Sequence, residues 1–122
     1  YLQLNEQDFK VPGWLLSTGT LKLLALLAVF RNPNPSPLIV IEEIENGLDQ
    51  RSIHLVVGEI RRYIENKDCQ VIFTTHSPYL LDLLKLNEII LVEKTDSQAK
   101  FTRPADNDEL LVWAEKFNPG KL

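Results

Sequence analysis

The chain has 122 residues, 14.0 kDa, 44% hydrophobic and 25% charged residues and a formal net charge of −4. This is the make-up of one soluble globular domain over residues 1–122, large enough to bury a core. No run of five Lys or Arg offers a phosphate-tracking surface. The single cysteine, Cys69, forms no internal disulfide and fits a reducing, cytoplasmic setting. The longest apolar run, Leu23 to Phe30, is too short to span a bilayer. With no Met and Tyr1 at its start, the chain reads as a piece of a longer protein.

In chain order, Tyr1 to Leu4 alternate apolar and polar like a strand end, and Val11-Pro12-Gly13 is a turn signal that breaks what precedes it. Leu16-Ser17-Thr18-Gly19-Thr20 then lead into an intensely apolar helix, Leu21 to Phe30. Its hydroxyls can cap the first free N–H groups, and a glycine there lets backbone approach a ligand. Such a helix start can also hold an anion, but taken alone these residues read as an ordinary N-cap on a core helix, because Ser and Thr caps are common. Three prolines between Arg31 and Pro37 end the helix and stiffen the loop.

Leu38 to Ile41 read as a short strand buried on both faces of a parallel sheet. Glu42 and Glu43 follow where such a strand leaves the sheet, the edge at which α/β proteins bind ligands. Two adjacent carboxylates at a dry sheet mouth repel each other, so a cation that carries phosphates would make the pair tolerable. Asp49 can cap the next helix, in which Ile53, Val56, Val57, Ile60 and Ile64 form one buried stripe. His54, Arg61 and Arg62 fall off the stripe or at its edge and read as surface.

After a polar turn at Asn66 to Asp68, Val71 to Phe73 make a second strand, parallel to the first in a βαβ unit. Both strands end on one sheet edge, about 4.8 Å apart if adjacent, so Thr74 to Ser77 face the same pocket as the two acids. Ser77 and Pro78 start a helix through Leu84. Residues 88–94 read as a third strand, Ala99 to Arg103 as a fourth after the turn Asp96-Ser97-Gln98, and Asp106 to Phe117 as a closing helix with Leu110, Leu111, Ala114 and Phe117 on one face.

Three strings now stand in order: LSTGT at 16–20, LIVIEEIENGLD at 38–49 and TTHSP at 74–78. They resemble the signature, the Walker B motif with its D-loop, and the H-loop of ABC-type ATPases, a superfamily of transporter motors, SMC-like chromosome proteins and OLD-like defence ATPases. The resemblance implies an α/β, P-loop NTPase-like lobe with a mostly parallel sheet flanked by helices, the C-terminal part of an ATPase head. It also implies ATP and Mg2+ as cofactors and a homodimer that sandwiches two ATPs.

By position, Glu42 would support magnesium, usually through water, and Glu43 would polarise the attacking water. His76 would contact the γ-phosphate, and Ser17 and Gly19 would donate to the γ-phosphate held by the other subunit. Asp49 would join Asn46, Gly47 and Leu48 in the D-loop.

The form EExENGLD is most similar to OLD-like and SMC-like ATPases, which implies DNA maintenance or anti-phage defence, with a DNA or nuclease partner and no membrane partner. Transporter motors commonly place Pro-Thr or Pro-Ser after the acids, which this sequence lacks. Ile44 stands where many relatives have Pro, and Asp49 where OLD-like members often have His. A transporter motor and a non-catalytic dimerising module are the alternatives.

No Gly-x-x-x-x-Gly-Lys-Ser/Thr string occurs, and the only Gly-Lys pair, Gly120-Lys121, lacks its neighbours. No Gln-loop is identifiable either. The β-phosphate anchor, a Walker A segment, is therefore expected N-terminal to Tyr1 or in another chain, and the isolated chain is expected to be inactive.

Overall fold

A computed structural model describes residues 2–6, 9–65, 69–114 and 119–121. The chain divides into two compact units, Tyr1–Thr74 and Thr75–Leu122. The polar turn expected at Asn66 to Asp68 lies outside the described residues, as does Phe117.

In the first unit, β1 (Gln3–Glu6) pairs antiparallel with β2 (Phe9–Pro12), Gln3 lying opposite Pro12. Val11 and Pro12 close this strand instead of breaking it. A proline lacks only an N–H, which a strand end can do without, and the hairpin is continued by Gly13 N–H donating to the Leu2 carbonyl at 2.9 Å. A 3-10 turn, Gly13–Leu15, leads to α1 (Thr18–Phe30). The helix begins ahead of its apolar run because Ser17 is the N-cap and its Oγ accepts Thr20 N–H at 3.1 Å.

Helix α2 (Gln50–Glu65) packs against α1 and supplies most of the core: Ile53, Val56, Val57, Ile60 and Tyr63 are buried, with Leu26 and Phe30 from α1. Four members of the expected stripe are in place. The fifth, Ile64, is 40% exposed, and Tyr63 is buried instead. The reason is tertiary. The Tyr63 ring meets Phe30 edge-on at 5.6 Å and its hydroxyl donates to the Ser36 carbonyl at 3.2 Å, so the covered face at this end lies on the Val56 side of the helix. That bond also ties down the proline-rich loop.

Strands β3 (Leu38–Ile41) and β4 (Gln70–Phe73) pair in parallel, Leu38 opposite Gln70 and Ile41 opposite Phe73, with α2 as the crossover. Burial on both faces does not hold within this chain. Ile39, Ile41, Val71 and Phe73 are half-buried on one face, whereas Val40 on the other is 64% exposed and Leu38 and Ile72 are exposed beside it. Helix α2 packs on β4, and a two-stranded sheet has too little width to be enclosed by the helices described.

The second unit opens with α3 (Pro78–Leu81), capped by Ser77 with Pro78 in its first turn. The helix ends after one turn rather than running to Leu84. Leu83 and Leu84 donate to Leu80 and Leu81, three residues back, which tightens the chain out of α geometry. A 3-10 turn at Leu86–Glu88 occupies the start of the expected third strand, so β5 spans Leu91–Thr95. It pairs antiparallel with β6 (Gln98–Thr102). The turn is Asp96-Ser97 alone, with φ of +48° and +67°, the left-handed pair of a two-residue hairpin, and Gln98 already pairs with Thr95.

A 3-10 turn at Pro104–Asp106 precedes α4 (Asp108–Ala114), which starts later than expected because Asn107 Oδ1 accepts Leu110 N–H at its N-terminus. Leu110 is half-buried, but Leu111 is exposed rather than on a covered face. A last 3-10 turn, Pro119–Lys121, packs on α3, where Gly120 N–H donates to Asp82 Oδ1 at 2.7 Å.

The expectation of a mostly parallel sheet flanked by helices is therefore corrected. Three separate two-stranded sheets are present among the described residues, and only β3–β4 is parallel. The connections decide this: β1–β2 and β5–β6 are each joined by two residues, which can link only antiparallel neighbours, while β3 and β4 are joined through a helix. No described helix is long and apolar enough to cross a membrane.

Candidate functional site

The exits of β3 and β4 are stitched together. Thr74 N–H donates to the Ile41 carbonyl at 3.0 Å and its carbonyl accepts Ile44 N–H at 3.2 Å. Its hydroxyl oxygen accepts Glu43 N–H at 2.9 Å. The two acids thus leave the sheet at the carboxyl edge of the parallel pair, where topology puts ligand sites. Both Glu42 and Glu43 are exposed, so within this chain the sheet mouth is open to water rather than dry.

Glu43 has φ of +44°, a left-handed conformation that costs a residue with a Cβ about 1–2 kcal/mol. Its carbonyl accepts Asn46 N–H at 2.9 Å, Glu45 O accepts Leu48 N–H at 2.9 Å, and Gly47 has φ of +76°. The backbone from 43 to 48 is therefore a folded loop with its own hydrogen bonds. Asn46 Nδ2 lies 3.5 Å from Glu43 Oε2, at the limit of a hydrogen bond.

Helix α1 presents its N-terminal turn to this loop. A Cβ on Gly19 would collide with the Gly47 carbonyl oxygen, so the two glycines meet backbone to backbone and only a residue without a side chain fits at 19. Ser17 Oγ is 2.8 Å from Thr20 Oγ1 besides capping the helix. One turn further, Lys22 Nζ donates to the carbonyls of Glu43 at 2.9 Å and Asn46 at 3.0 Å. Ser17, Gly19, Glu42 and Glu43 are thus carried by two neighbouring segments of the first unit, joined where Gly19 meets Gly47 and where Lys22 meets the loop carbonyls.

Lys22 was not legible at this edge, and Thr74, which the sequence does place there, gave no sign that its hydroxyl holds the Glu43 amide. The only signal for Lys22 is that it is the one charged residue between Thr18 and Phe30. For Thr74, no pattern distinguishes a hydroxyl that holds a backbone amide from any other at a strand end.

Asp49 occupies the N-cap of α2, and its Oδ1 accepts Ser52 N–H at 2.8 Å. That backbone hydrogen bond holds its carboxyl below the usual carboxylate range. Its proposed share in nucleotide contact competes with this cap. His76 belongs to the second unit and is exposed in the extended stretch ahead of α3, where Ser77 N–H donates to Thr75 Oγ1 at 3.0 Å. Among the described residues no three His, Cys, Asp or Glu side chains converge to hold a metal by themselves. His54 is exposed on α2, as its position off the stripe implies.

At the opposite end of α1 a second polar cluster forms. Arg31 grips the buried Glu59 with both ends of its guanidinium, Nε to Oε2 at 3.1 Å and Nη2 to Oε1 at 2.8 Å, and Arg62 adds Nη1 to Oε1 at 2.9 Å. The Arg31 hydrogen bonds, then the charges of both arginines, hold the Glu59 carboxyl below its ordinary range against the upward push of burial.

A family model described as "AAA domain, putative AbiEii toxin, Type IV TA system" matches residues 1–82. No curated protein matches the chain. The matched span contains Ser17, Gly19, Lys22, the 38–49 string and His76.

Proposed function

Because the chain belongs to that AAA-domain family of nucleotide-binding P-loop ATPases, we propose that it is the signature, Walker B, D-loop and H-loop part of a dimerising ABC-type ATPase head. Its relatives in this reading are the OLD-like and SMC-like ATPases, and its work is DNA maintenance or defence. The family's description names a toxin of toxin–antitoxin systems, a setting nearer defence than transport. The observation that carries the reading is the seating of Gly19 against Gly47, which joins the signature-like turn to the loop that follows the two acids.

Exposed carboxylate oxygens suit Mg2+, which takes one or two protein carboxylates and completes its shell with water and phosphate, so Glu42 and Glu43 fit the ion. Bound there, magnesium supplies neutralisation of charge on the transferred phosphoryl group. Glu42 is the magnesium support. Glu43 orients the attacking water and takes its proton, as a carboxylate at a ligand-binding edge can. Across a dimer, Ser17 Oγ and Gly19 N–H offer donors at a helix N-terminus to a phosphate held by the partner subunit. Asp49 belongs to the D-loop, and His76 is a γ-phosphate contact. DNA or a nuclease is the partner served by segments outside this chain.

The test uses the complete protein with its phosphate-binding loop. Glu43→Gln is expected to lower ATP turnover about 10²–10⁴-fold, the range for losing a general base, while an ATP-held dimer persists in gel filtration. Turnover at the wild-type rate would remove Glu43 from the chemistry. The 122-residue chain alone is expected to show no turnover, measured as released phosphate.

A further inference from the structure

We propose that Lys22 is a positioning residue: it holds the left-handed backbone of Glu43 and the loop behind it in working geometry, and so links the signature-like end of α1 to the carboxylate that handles water. This rests on the reading of Glu43 above.

Glu43 takes a φ of +44° that its own side chain disfavours. Something must repay that cost, or the residue relaxes and its carboxylate swings away from the strand exit. On the amide side the Thr74 hydroxyl oxygen accepts Glu43 N–H. On the carbonyl side Lys22 Nζ donates to Glu43 O at 2.9 Å and, with the same ammonium, to Asn46 O at 3.0 Å. The two carbonyls are three residues apart, so one cation spans the turn and pins both its ends. Hydrogen bonds from a charged donor are roughly twice as strong as neutral ones.

The placement of the cation is equally specific. Lys22 is the only charged residue of α1, and it sits half-buried three residues after Gly19. Gly19 is itself locked against the Gly47 carbonyl oxygen. The first turn of α1 therefore touches the loop at two points, one steric and one ionic. A displacement of that turn reaches the loop through both contacts, and of the two only Lys22 touches Glu43 itself. Lys22 directs its ammonium to backbone carbonyls rather than to either acid, so it sets the conformation of the acid's backbone without forming an ion pair that would quench the carboxylate.

Two measurements test this. In the nucleotide-free protein, Lys22→Met keeps the apolar stem and deletes the donor. Amide hydrogen exchange in residues 42–49 is expected to quicken about tenfold while exchange in 50–65 is unchanged. In the ATP-driven reaction, Lys22→Met is expected to lower kcat about 10–100-fold with KM for ATP within about twofold, because a misplaced base costs rate rather than affinity. Lys22→Arg is expected to restore most of both.

If Lys22→Met quickens exchange across 50–65 as well, the same two measurements are read on Lys22→Gln, whose shorter amide cannot reach both carbonyls. Unchanged exchange in 42–49, or unchanged kcat in a protein that Glu43→Gln inactivates, overturns the proposal. Should Glu43→Gln itself leave turnover intact, the reading of the catalytic carboxylate fails, and the exchange result still judges the clamp on its own.

Discussion

The two ends of α1 each use a basic side chain to reach another segment, and they do so for different ends. At the C-terminal end, Arg31 meets a carboxylate that is buried, so Glu59 needs its arginines merely to be tolerated in the interior. At the N-terminal end, Lys22 meets two backbone carbonyls beside exposed acids, one of them on a residue in a disfavoured conformation. The first arrangement secures the packing of α1 on α2. The second leaves the carboxylates without a paired cation among the described residues and shapes the backbone that carries them, which is what a reactive site requires. A charged contact is therefore informative about function through what it leaves free as much as through what it binds.

The strongest way to break this contrast is at Gly19. Gly19→Ala places a Cβ against the Gly47 carbonyl oxygen, a backbone atom that cannot swing aside, and is expected to cost about 1–3 kcal/mol, read as a lower urea midpoint. It should also quicken amide exchange in residues 42–49, because it pushes on the same loop. An Ala variant with wild-type stability and exchange would show that the two segments are not locked together.

Arg31→Met acts at the other end and should separate the two roles. It leaves the buried Glu59 with Arg62 alone and is expected to cost about 1–2 kcal/mol, low for a charged hydrogen bond because the Arg31 side chain is 62% exposed. Exchange in 42–49 should not change. The cluster also predicts a pH dependence. The Glu59 carboxyl is held below its ordinary value in the folded chain, so its contribution is fully present above that ordinary, unfolded value. It is lost as pH falls through the lowered folded value. Urea midpoints taken between neutral pH and strong acid should fall less in Arg31→Met than in the wild type.

Smaller effects sharpen the picture at α2. Asp49→Ala removes the acceptor for Ser52 N–H and is expected to cost about 1 kcal/mol, whereas Asp49→Asn, which still caps, should cost only a few tenths. If turnover in the complete protein tracks stability across this pair, Asp49 is a cap and no more. A rate loss in Asp49→Asn beyond its stability loss would support the D-loop role. The smallest effect belongs to His54→Ala, expected to stay within about 0.5 kcal/mol because the side chain is exposed and off the packed face.

How much could be read in advance differs between the two units. In the first, the Ser17 cap, the parallel β3–α2–β4 unit and the acids at its carboxyl edge all follow from local signals, and they agree with one another. In the second, the runs near residues 88–103 do form two strands, but their start and turn shifted because Leu86–Glu88 curls into a 3-10 turn and Asp96-Ser97 makes a tight hairpin. The helix read through Leu84 stops after one turn for a similar reason, a switch to shorter hydrogen bonds that no hydrophobic period announces.

By itself the sequence determined the order α1, β3, α2 and β4, the caps Ser17, Asp49 and Ser77, and the carboxylates at a strand exit, because periodicity, proline and short polar side chains act over a few residues. Tertiary structure alone decided that Tyr63 rather than Ile64 enters the core, that Gly19 is seated on Gly47, and that Lys22 reaches across to Glu43 and Asn46. Those contacts join residues 21 or more positions apart, from Lys22 to Glu43 at the least. A chain of letters carries no distance between such residues, and only the packing of α1 against its neighbours brings an ammonium group within reach of two particular carbonyls.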